Sequence, residues 1–371
     1  MPAIDARRPG PVVILVGALA PYTHRLYERV AAELNRPLHV LACTAREAAR
    51  QWELPGQHAY RFEVLPGLRW YRSALSNVYL NPAVLPRLRA IRPSVLIVND
   101  FAPTMLLAAA FAKISGVPYG VRTDGVPETD PGLHSLPHRL VRRALLPAAD
   151  FGIGASEGSR ALFAAYGLDR SRTVVAPLFP AWEPEAPIRD EPRPYDLLFC
   201  GMLNDDVKGA RFFTDVVLGC RERGRALSVR VAGDGPLRAE MEGRFVAAGI
   251  TAHFDGFVQQ QDLRSVYASA RLFLFPSRGD VWGIVVQEAL QSGTAVLASP
   301  HSGAARELLE PYACGMVHPL VVETWVEAVF QLLDDSEVRA AMGKRAQVAL
   351  DRFSLATAAD AYRQVLRTER R

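Results

Sequence analysis

The sequence predicts an α/β protein built from two doubly wound parallel sheets. Short apolar runs, each the length of one buried strand, alternate along the chain with longer segments whose apolar residues recur every three or four positions. This alternation is typical of parallel sheets covered by helices on both faces. A proline-rich segment interrupts it near the middle of the 371 residues, so we expect two domains of this kind.

The first half of the chain predicts five strands. It starts with PVVILVG at residues 11–17, followed by YTHRLYERVAAELN, whose apolar spacing predicts a helix. The four later strands are predicted at 37–43, 94–100, 117–123 and 151–156. The 11–17 run is short and lacks a small-residue cleavage site, so it is interpreted as a buried strand and not as a signal peptide. No apolar run reaches the roughly 18 residues that a membrane span requires.

Six prolines between residues 177 and 194 mark the boundary between the halves, because proline disrupts both helices and central strands. Beyond them, five more strands are predicted at 196–201, 227–233, 252–258, 271–277 and 294–299. Helices are predicted over 208–222, 236–248 and 261–270, and again from about Val322 onwards. We assign a first domain to 1–180, a linker to 181–195, a second domain to 196–350 and a C-terminal helix to 351–371.

Charge and cysteine content narrow the classes of function. Residues 1–180 hold 21 Lys and Arg against 13 Asp and Glu, and residues 181–371 hold 22 against 26, so charges of +8 and −4 make up the net +4. The basic half could attract an anionic membrane surface or a phosphate-bearing substrate, or be a solvated arginine-rich surface. The four cysteines lie far apart, which argues against a disulfide framework or a zinc site and fits a reducing compartment. These patterns indicate no nucleic-acid partner.

Two carboxylates stand out in the otherwise apolar segment PSRGDVWGIVVQEALQSGTAVLASP, residues 276–300. We expect a helix there over about 281–291. Asp280 is then well placed as its N-cap, accepting from the amide of Trp282 or Gly283. A role in ligand binding is the alternative for this residue.

Glu288 lies within the predicted helix, on the same face as Ile284 one turn earlier, in a segment that is typical of a core. An unpaired buried charge is costly, so Glu288 requires a partner. One interpretation is a buried ion pair with an arginine. The other is a carboxylate that accepts two hydroxyl groups from a ligand, such as the vicinal diol of a ribose.

The segment GDVWGIVVQEALQSGTAVLAS resembles the E-x7-E segment of retaining GT-B glycosyltransferases of family 4, with Asp280 at the position of the first Glu and Glu288 at that of the second. Four further segments follow the order of that family: LLFCGMLNDDVKGARFF, VAGDGPLRAEM, DGFVQQQDLRSVYASARLFLFPS and SGAARELL. The resemblance implies the GT-B fold, in which two Rossmann-like domains face a cleft and a final helix crosses back to the first domain.

The resemblance also implies roles for individual residues in binding a nucleotide-sugar donor. Glu288 would bind the ribose, Asp280 the hydroxyls of the donor sugar, and Lys208 would neutralise the diphosphate. Gly201 would let the backbone approach a phosphate, although Met202 stands where the family usually has arginine. The other implied donor-binding positions, mainly through their backbone, are Val281, Trp282, Gly283, Gly256, Phe257, Val258 and Gly17.

The resemblance is looser in the first half, where the acceptor would bind. Asp124 follows a predicted strand in RTDGVP, where a polar catalytic residue near the acceptor is expected. His24 and His138 are further candidates for contact with the acceptor. The segment GALAPYTHRLYE is similar to members that act in surface-polysaccharide assembly. The implied acceptor is a glycan or lipid-linked saccharide at the cytoplasmic face of the cell membrane, where the protein would be peripheral. A soluble small-molecule acceptor is the alternative.

The chain has no D-x-D motif, no Walker A sequence and no G-x-G-x-x-G after its first strand, and it shows no His/Cys cluster. These absences argue against a bound metal, and together with them the resemblance implies a metal-independent hexosyltransferase without a cofactor, whose substrate is a UDP- or GDP-sugar. A GT-B nucleotide-sugar epimerase and a non-catalytic sugar-nucleotide-binding protein are the alternatives.

Overall fold

The computed structural model describes residues 10–45, 58–73, 76–180, 182 and 193–366. The chain forms two compact units, Met1–Leu178 together with Ser354–Arg371, and Phe179–Phe353. Each unit contains one parallel sheet. Most of the predicted linker 181–195, and the last five residues of the predicted helix 351–371, lie outside the described residues.

The sheet of the first unit is parallel throughout. Its chain segment contains the strands β1 Val12–Val16, β2 Leu38–Ala42, β3 Arg61–Val64, β4 Leu68–Ser73, β5 Ser76–Leu80, β6 Val95–Asn99, β7 Tyr119–Thr123, β8 Phe151–Gly154 and β9 Thr173–Val175. Seven of them pair in the order β3-β2-β1-β6-β7-β8-β9, and β4 and β5 form a separate antiparallel hairpin. All five predicted strands are confirmed, as β1, β2, β6, β7 and β8. Each is buried along its whole length, as expected for a parallel sheet covered on both faces.

Helices flank this sheet, as the alternating pattern predicts. They are α1 Pro21–Glu33, α2 Val84–Ile91, α3 Pro103–Ile114, α4 Leu136–Leu145 and α5 Glu157–Ala165. Three short 3-10 helices lie at Pro127–Thr129, Pro131–Leu133 and Arg170–Arg172. Proline begins α1 and α3, where the missing N–H would have no intrahelical partner in any case.

The second unit has a six-stranded parallel sheet. Its strands are β10 Tyr195–Cys200, β11 Val229–Ala232, β12 Ala252–Gly256, β13 Ala270–Phe275, β14 Ala295–Ala298 and β15 Met316–Val317. They pair in the order β12-β11-β10-β13-β14-β15, so the strand order reverses between β10 and β13. In doubly wound sheets, ligands bind beyond the carboxyl ends of the strands at this switch point. All five strands predicted in this half are confirmed.

The helices of the second unit are α6 Ala210–Glu222, α7 Arg238–Ala247, α8 Gln260–Ala268, α9 Ile284–Gln291, α10 Glu310–Tyr312, α11 Val322–Asp334 and α12 Ser336–Arg352, with a π-helical turn at Ala305–Leu309. Helices α11 and α6 pack together through the rings of Trp325 and Phe212, whose centroids lie 5.2 Å apart. The helical C-terminal region predicted from Val322 is confirmed.

The final helix, α13 at Leu355–Leu366, belongs to the first unit. It packs against α1, where the rings of Tyr362 and Tyr27 meet edge to face at 6.2 Å. Among the described residues, no helix combines the length and the apolar character needed to span a bilayer.

Candidate functional site

The carboxyl edge of the second sheet is built from closely packed glycines. Gly201 follows β10 and Gly256 ends β12, and the amide of Gly233 donates to the carbonyl of Gly256 at 2.8 Å. A Cβ on Gly233, which has a φ of +139°, would lie 1.9 Å from the carbonyl oxygen of Gly201. Any larger residue at Gly233 would separate these strand ends, so the close approach of the backbones requires glycine here.

Lys208 and Asp280 meet at this edge, although they come from loops after different strands. Lys208 Nζ lies 2.6 Å from Oδ2 of Asp280, and both side chains are about one-fifth to one-quarter exposed. The amide of Lys208 donates to Oδ1 of Asn204 at 3.1 Å, and Gly209, in a left-handed conformation with φ of +69°, starts α6 directly after it. The structure therefore brings two of the three predicted catalytic residues into direct contact.

The predicted helix start near Val281 is wrong, and Asp280 is not the N-cap. Helix α9 begins three residues later, and Gly283 is its N-cap with a φ of +89°. A Cβ at Gly283 would lie 2.9 Å from the ring of Phe275, so packing against β13 selects glycine and sets the turn at this residue. The expected contact of Asp280 with an amide is confirmed, because its Oδ1 accepts from Trp282 N at 3.3 Å.

The side chain of Trp282 faces the interior of the second unit. It is 3% exposed, its Nε1 donates to Oε1 of Gln287 at 2.7 Å, and its ring lies 5.3 Å from that of Phe353. The Trp282 carbonyl accepts from the amide of Ala304 at 2.8 Å. The indole and the carbonyl of Trp282 thus have partners within the unit, and its amide donates to Asp280. The amides of Val281 and Gly283 flank it.

Glu288 is 5% exposed, and its Oε2 accepts from the hydroxyl of Tyr267 at 2.9 Å. Within the described ranges, no arginine forms an ion pair with it. Burial raises the pKa of Glu288 to about 7, and the Tyr267 hydrogen bond and the positive charge of Lys208 offset part of this shift. The carboxyl group is thus kept in the interior by a neutral hydroxyl and a nearby cation, and not by the arginine that was the alternative interpretation.

Sequence reasoning missed two side chains that hold this site together. Tyr267, on α8, is fully buried, and Gln287, next to Glu288, is also fully buried. Gln287 is a polar group in an apolar helical segment, which is the signal that singled out Glu288, whereas Tyr267 lies in the largely polar helix α8 and gives no such signal. The sequence does not indicate which buried groups pair with each other.

The region predicted to contact the nucleotide base surrounds the end of β12. Gly256 has a φ of +73°, Phe257 is 52% exposed and Val258 is half-buried. Just before them, Asp255 accepts two hydrogen bonds from Arg230, each at 2.8 Å, which ties β12 to β11. The backbone just before this turn is therefore tied to the sheet.

In the first unit, Asp124 lies half-buried just after β7, beside a group of polar residues at the carboxyl ends of β6 and β7. Asp100, which sequence reasoning missed, adopts a left-handed φ of +63°, and its Oδ1 accepts from Thr123 Oγ1 at 2.8 Å. Arg122 is 7% exposed. Burial is the largest influence on the pKa of Arg122 and would lower it, but the carboxylate of Asp124 and the hydroxyls of Tyr362, Tyr22 and Tyr27 together outweigh burial, so the pKa is raised.

The other predicted residues of the first unit lie on separate elements. Gly17 follows β1, and a Cβ there would lie 3.1 Å from the ring of Tyr79, so a larger side chain would displace that ring. His24 is buried on α1, and His138, half-buried on α4, lies 2.6 Å from the hydroxyl of Ser135 through its Nδ1. Neither histidine lies among the polar residues described beside Asp124.

Comparison with known proteins matches both halves of the chain. Residues 17–178 match the family model described as glycosyl transferase 4-like domain, and residues 194–335 match glycosyl transferases group 1. Alpha-D-kanosaminyltransferase of Streptomyces kanamyceticus is 29% identical over 157 residues, which is 41% of this chain and 40% of that protein. A D-inositol 3-phosphate glycosyltransferase of Pseudarthrobacter chlorophenolicus is 26% identical over 227 residues, 57% of this chain and 53% of that protein. The chain thus spans about half or less of the length of these relatives.

Solved structures show the same fold across nearly the whole chain. HepE of Anabaena in complex with UDP superposes with a TM-score of 0.73 at 16% identity, covering 96% of this chain and 99% of that one. WaaG, a glycosyltransferase involved in lipopolysaccharide biosynthesis, superposes with a TM-score of 0.69 at 17% identity, covering 96% and 100%. The two parallel-sheet α/β units therefore form a GT-B fold. With both halves matched by its family models, the chain belongs to the group 1 glycosyltransferases, known as family 4.

Proposed function

We propose that this protein is a retaining, metal-independent glycosyltransferase that moves a hexosyl-type sugar from a nucleotide-diphosphate sugar to an acceptor hydroxyl. The observation that carries the proposal is the buried carboxyl of Glu288, at the switch-point edge of the second sheet, whose hydrogen-bond partner is the Tyr267 hydroxyl. A carboxylate in this position can accept two hydroxyl groups of a ribose. HepE, a protein of the same fold, binds UDP in its crystal structure, which supports a uridine nucleotide here; GDP is the other candidate.

The Lys208–Asp280 pair supplies two opposite charges side by side. A diphosphate brings negative charge that grows as the sugar–phosphate bond breaks, and Lys208 Nζ is the cation placed to stabilise it. Asp280 is then free to accept hydrogen bonds from the hydroxyls of the sugar. Until the donor binds, each of the two groups holds the other in place, so little reorganisation is required when the substrate arrives.

The backbone supplies the remaining donor contacts in this proposal. Gly201 lies beside the aliphatic part of Lys208, where a phosphate oxygen can reach the main chain. The amides of Val281, Trp282 and Gly283 face the sugar, with Trp282 exchanging its bond to Asp280 for one to the ligand. Gly256, Phe257 and Val258 contact the base. Gly17, after β1, is the donor-binding position of the first unit.

We assign acceptor binding to the first unit, at Asp124 and its neighbours. Asp124 would accept a hydrogen bond from the attacking hydroxyl, and the leaving phosphate would take the proton, so no protein nucleophile is required. The excess of basic residues in the first half supports an acceptor that carries phosphate, such as a lipid-linked saccharide in surface polysaccharide biosynthesis. In that case the protein acts in the cytoplasm, peripherally at the inner face of the membrane.

Product analysis tests the proposal. The purified protein is incubated with UDP- or GDP-sugars, chosen by a thermal-shift screen, with and without lipid-linked and soluble glycan acceptors. Release of the nucleoside diphosphate only with an acceptor, and a product of unchanged anomeric configuration by NMR, is the expected result. An altered nucleotide sugar formed without acceptor would instead indicate an epimerase, and tight binding without turnover a binding protein. Salt-sensitive flotation with anionic vesicles is expected for a membrane acceptor, and its absence would favour a soluble one.

A further inference from the structure

Three potential metal ligands lie close together in the first unit. They are separate from Lys208, Asp280 and Glu288, which belong to the second unit. His24 and Glu28 lie one turn apart on the same face of α1, and His58 lies just before β3. One ligand atom from each of the three residues lies within 4.8 Å of the others, and the two imidazole centroids are 5.1 Å apart. The sequence showed no such cluster, because the fold brings together residues that are far apart along the chain.

The backbone holds His58 over this face of α1. The amide of Ala59 donates to Oε1 of Glu28 at 2.7 Å, which attaches the chain just before β3 to the helix. The rings of Tyr60 and Phe62 pack against His58 at 5.0 and 5.2 Å. The position of the His58 imidazole is thus set by contacts on both sides.

One ring nitrogen of His58 is nevertheless buried without a hydrogen-bond partner among the described residues. Its Nδ1 is inaccessible to solvent and has no hydrogen-bond partner among the residues that the structure describes. A buried polar atom left in this state costs about 1–3 kcal/mol, so such atoms call for a specific explanation. Packing alone does not supply one, whereas a ligand between His58, His24 and Glu28 does.

The donor set selects the kind of ligand. Two imidazoles and one carboxylate are typical of Zn²⁺ and related first-row ions, whereas Ca²⁺ and Mg²⁺ prefer oxygen ligands alone. A neutral imidazole offers the lone pair that a metal ion requires.

We propose that His24, Glu28 and His58 form a binding site for a divalent transition-metal ion of the Zn²⁺ type, which links α1 to the start of β3. The ion stabilises the first unit. It takes no part in the chemistry proposed for Lys208, Asp280 and Glu288, and the two proposals stand or fall separately.

Tyr60 distinguishes this site from a simple packed cluster. Its hydroxyl lies 2.8 Å from Nδ1 of His24. An ion that takes this nitrogen displaces the hydroxyl. Tyr60→Phe therefore removes a competitor and is expected to preserve or tighten metal binding, whereas in a packed cluster it only removes a hydrogen bond.

The experiment uses the full chain, stripped with a chelator and titrated with ZnCl₂ by isothermal calorimetry. We expect one ion per chain and a rise in the melting temperature with Zn²⁺ concentration. His58→Ala and Glu28→Gln should weaken binding at least about tenfold, since even outer-shell changes around a metal ligand cost 10- to 100-fold. His134→Ala, which removes an exposed histidine of the same unit, is the matched control and should bind as the wild type does.

Co²⁺ provides a second readout, because its visible d–d absorption changes when protein ligands replace water, and both ligand variants should need higher Co²⁺ concentrations to show that change. Melting curves in chelator show whether each variant folds, and Glu28→Gln, which keeps an acceptor for the Ala59 amide, serves if His58→Ala does not. Equal Zn²⁺ affinity in the wild type and in His58→Ala and Glu28→Gln would mean an adventitious ion only and would overturn the proposal. Absence of stoichiometric binding to the wild type would overturn it as well.

Discussion

The ammonium group of Lys208 lies 2.6 Å from the carboxylate of Asp280, and this contact joins the loop after β10 to the loop after β13 across the switch point of the second sheet. Both side chains remain partly exposed. Partly exposed ion pairs contribute only about 0–1 kcal/mol to stability. The value of the pair therefore lies in holding a cation and a carboxylate where a sugar diphosphate would bind.

Lys208→Met and Asp280→Asn should each lower kcat/KM by about 100- to 1,000-fold, as loss of one preorganised charge-stabilising group does. The melting temperature should change little, because the pair is partly exposed. Arg211→Met is the control, since Arg211 lies nearby at the start of α6 and pairs with the exposed Glu240 at 2.9 Å. Steady-state kinetics compares the three. An equal loss of activity in Arg211→Met would contradict a specific role of Lys208 in stabilising the diphosphate.

Replacing Glu288 by Gln should stabilise the protein at alkaline pH. The pKa of this group is about 7 in the folded protein against 4.5 ordinarily, so the folded state binds its proton more tightly than the unfolded chain does. The associated stability is present below pH 4.5 and is lost as the pH rises through about 7.

Glu288→Gln keeps an acceptor for Tyr267 and avoids burying a charge. Its unfolding free energy should exceed that of the wild type by up to about 3 kcal/mol at pH 8, and by little at pH 5. Urea unfolding at the two pH values measures this, and a gain that does not depend on pH would contradict the assignment.

Tyr267→Phe should move the pH dependence of donor binding upwards. The Tyr267 hydroxyl stabilises the ionised form of Glu288, and its loss should raise the pKa of that carboxyl further above 7. If the carboxylate is the form that accepts ligand hydroxyls, nucleotide affinity falls as the pH drops below this pKa. Calorimetric titrations between pH 6 and 9 should show a higher midpoint for the variant than for the wild type. Identical midpoints would show that Glu288 is not the titrating group.

Gly209→Ala should destabilise the second unit much more than Gly224→Ala. Both glycines have positive φ angles, +69° and +82°. A Cβ at Gly209 would lie 2.0 Å from the carbonyl oxygen of Pro276, whereas no atom lies within 4 Å of one at Gly224. We expect about 1 kcal/mol for the left-handed strain alone at Gly224, and more than about 3 kcal/mol at Gly209, where backbone must move. Chemical denaturation measures both, and similar losses would mean that the loop beside Lys208 is not tightly packed.

Asp124→Asn should impair the use of the acceptor and spare the donor. The residue lies in the first unit among Asp100, Arg122 and Thr123, so we expect kcat to fall at least about tenfold, as loss of a hydrogen bond to a charged group does. The dissociation constant of the nucleotide should stay within about twofold, a change of less than about 0.5 kcal/mol. Glu128→Gln, an exposed residue after β7, is the control. A loss of nucleotide affinity in Asp124→Asn would place this residue at the donor instead.

The central strands were predictable from sequence because a strand buried on both faces must be apolar throughout. The strands that were missed lack this property. β3 is a sheet edge with exposed ends, β9 is the opposite edge and has three residues, β15 has two residues, and the β4–β5 hairpin stands apart from both parallel sheets. Their formation depends on neighbours that the local pattern does not reveal.

Sequence reasoning singled out individual residues of the candidate site, but not the contacts between them. The isolated carboxyl of Glu288 indicated that a partner must exist, yet the Tyr267 hydroxyl comes from another helix. The start of α9 was misplaced because Gly283 owes its conformation to the ring of Phe275 and not to its neighbours in sequence. The partner of Glu288 and the start of α9 depend on tertiary packing, which the periodicity of the sequence does not reveal.

The most direct test of the account compares nucleotide binding with and without the ribose diol. Wild type and Glu288→Gln are titrated calorimetrically with UDP or GDP, whichever gives the larger thermal shift, and with the matching 2′,3′-dideoxynucleotide. If Glu288 binds the diol, the wild type should prefer the ribonucleotide at least about tenfold, as expected for hydrogen bonds to a charged group, and Glu288→Gln should lose most of that preference. An equal preference in both proteins would contradict the account, because the diol would then be bound elsewhere.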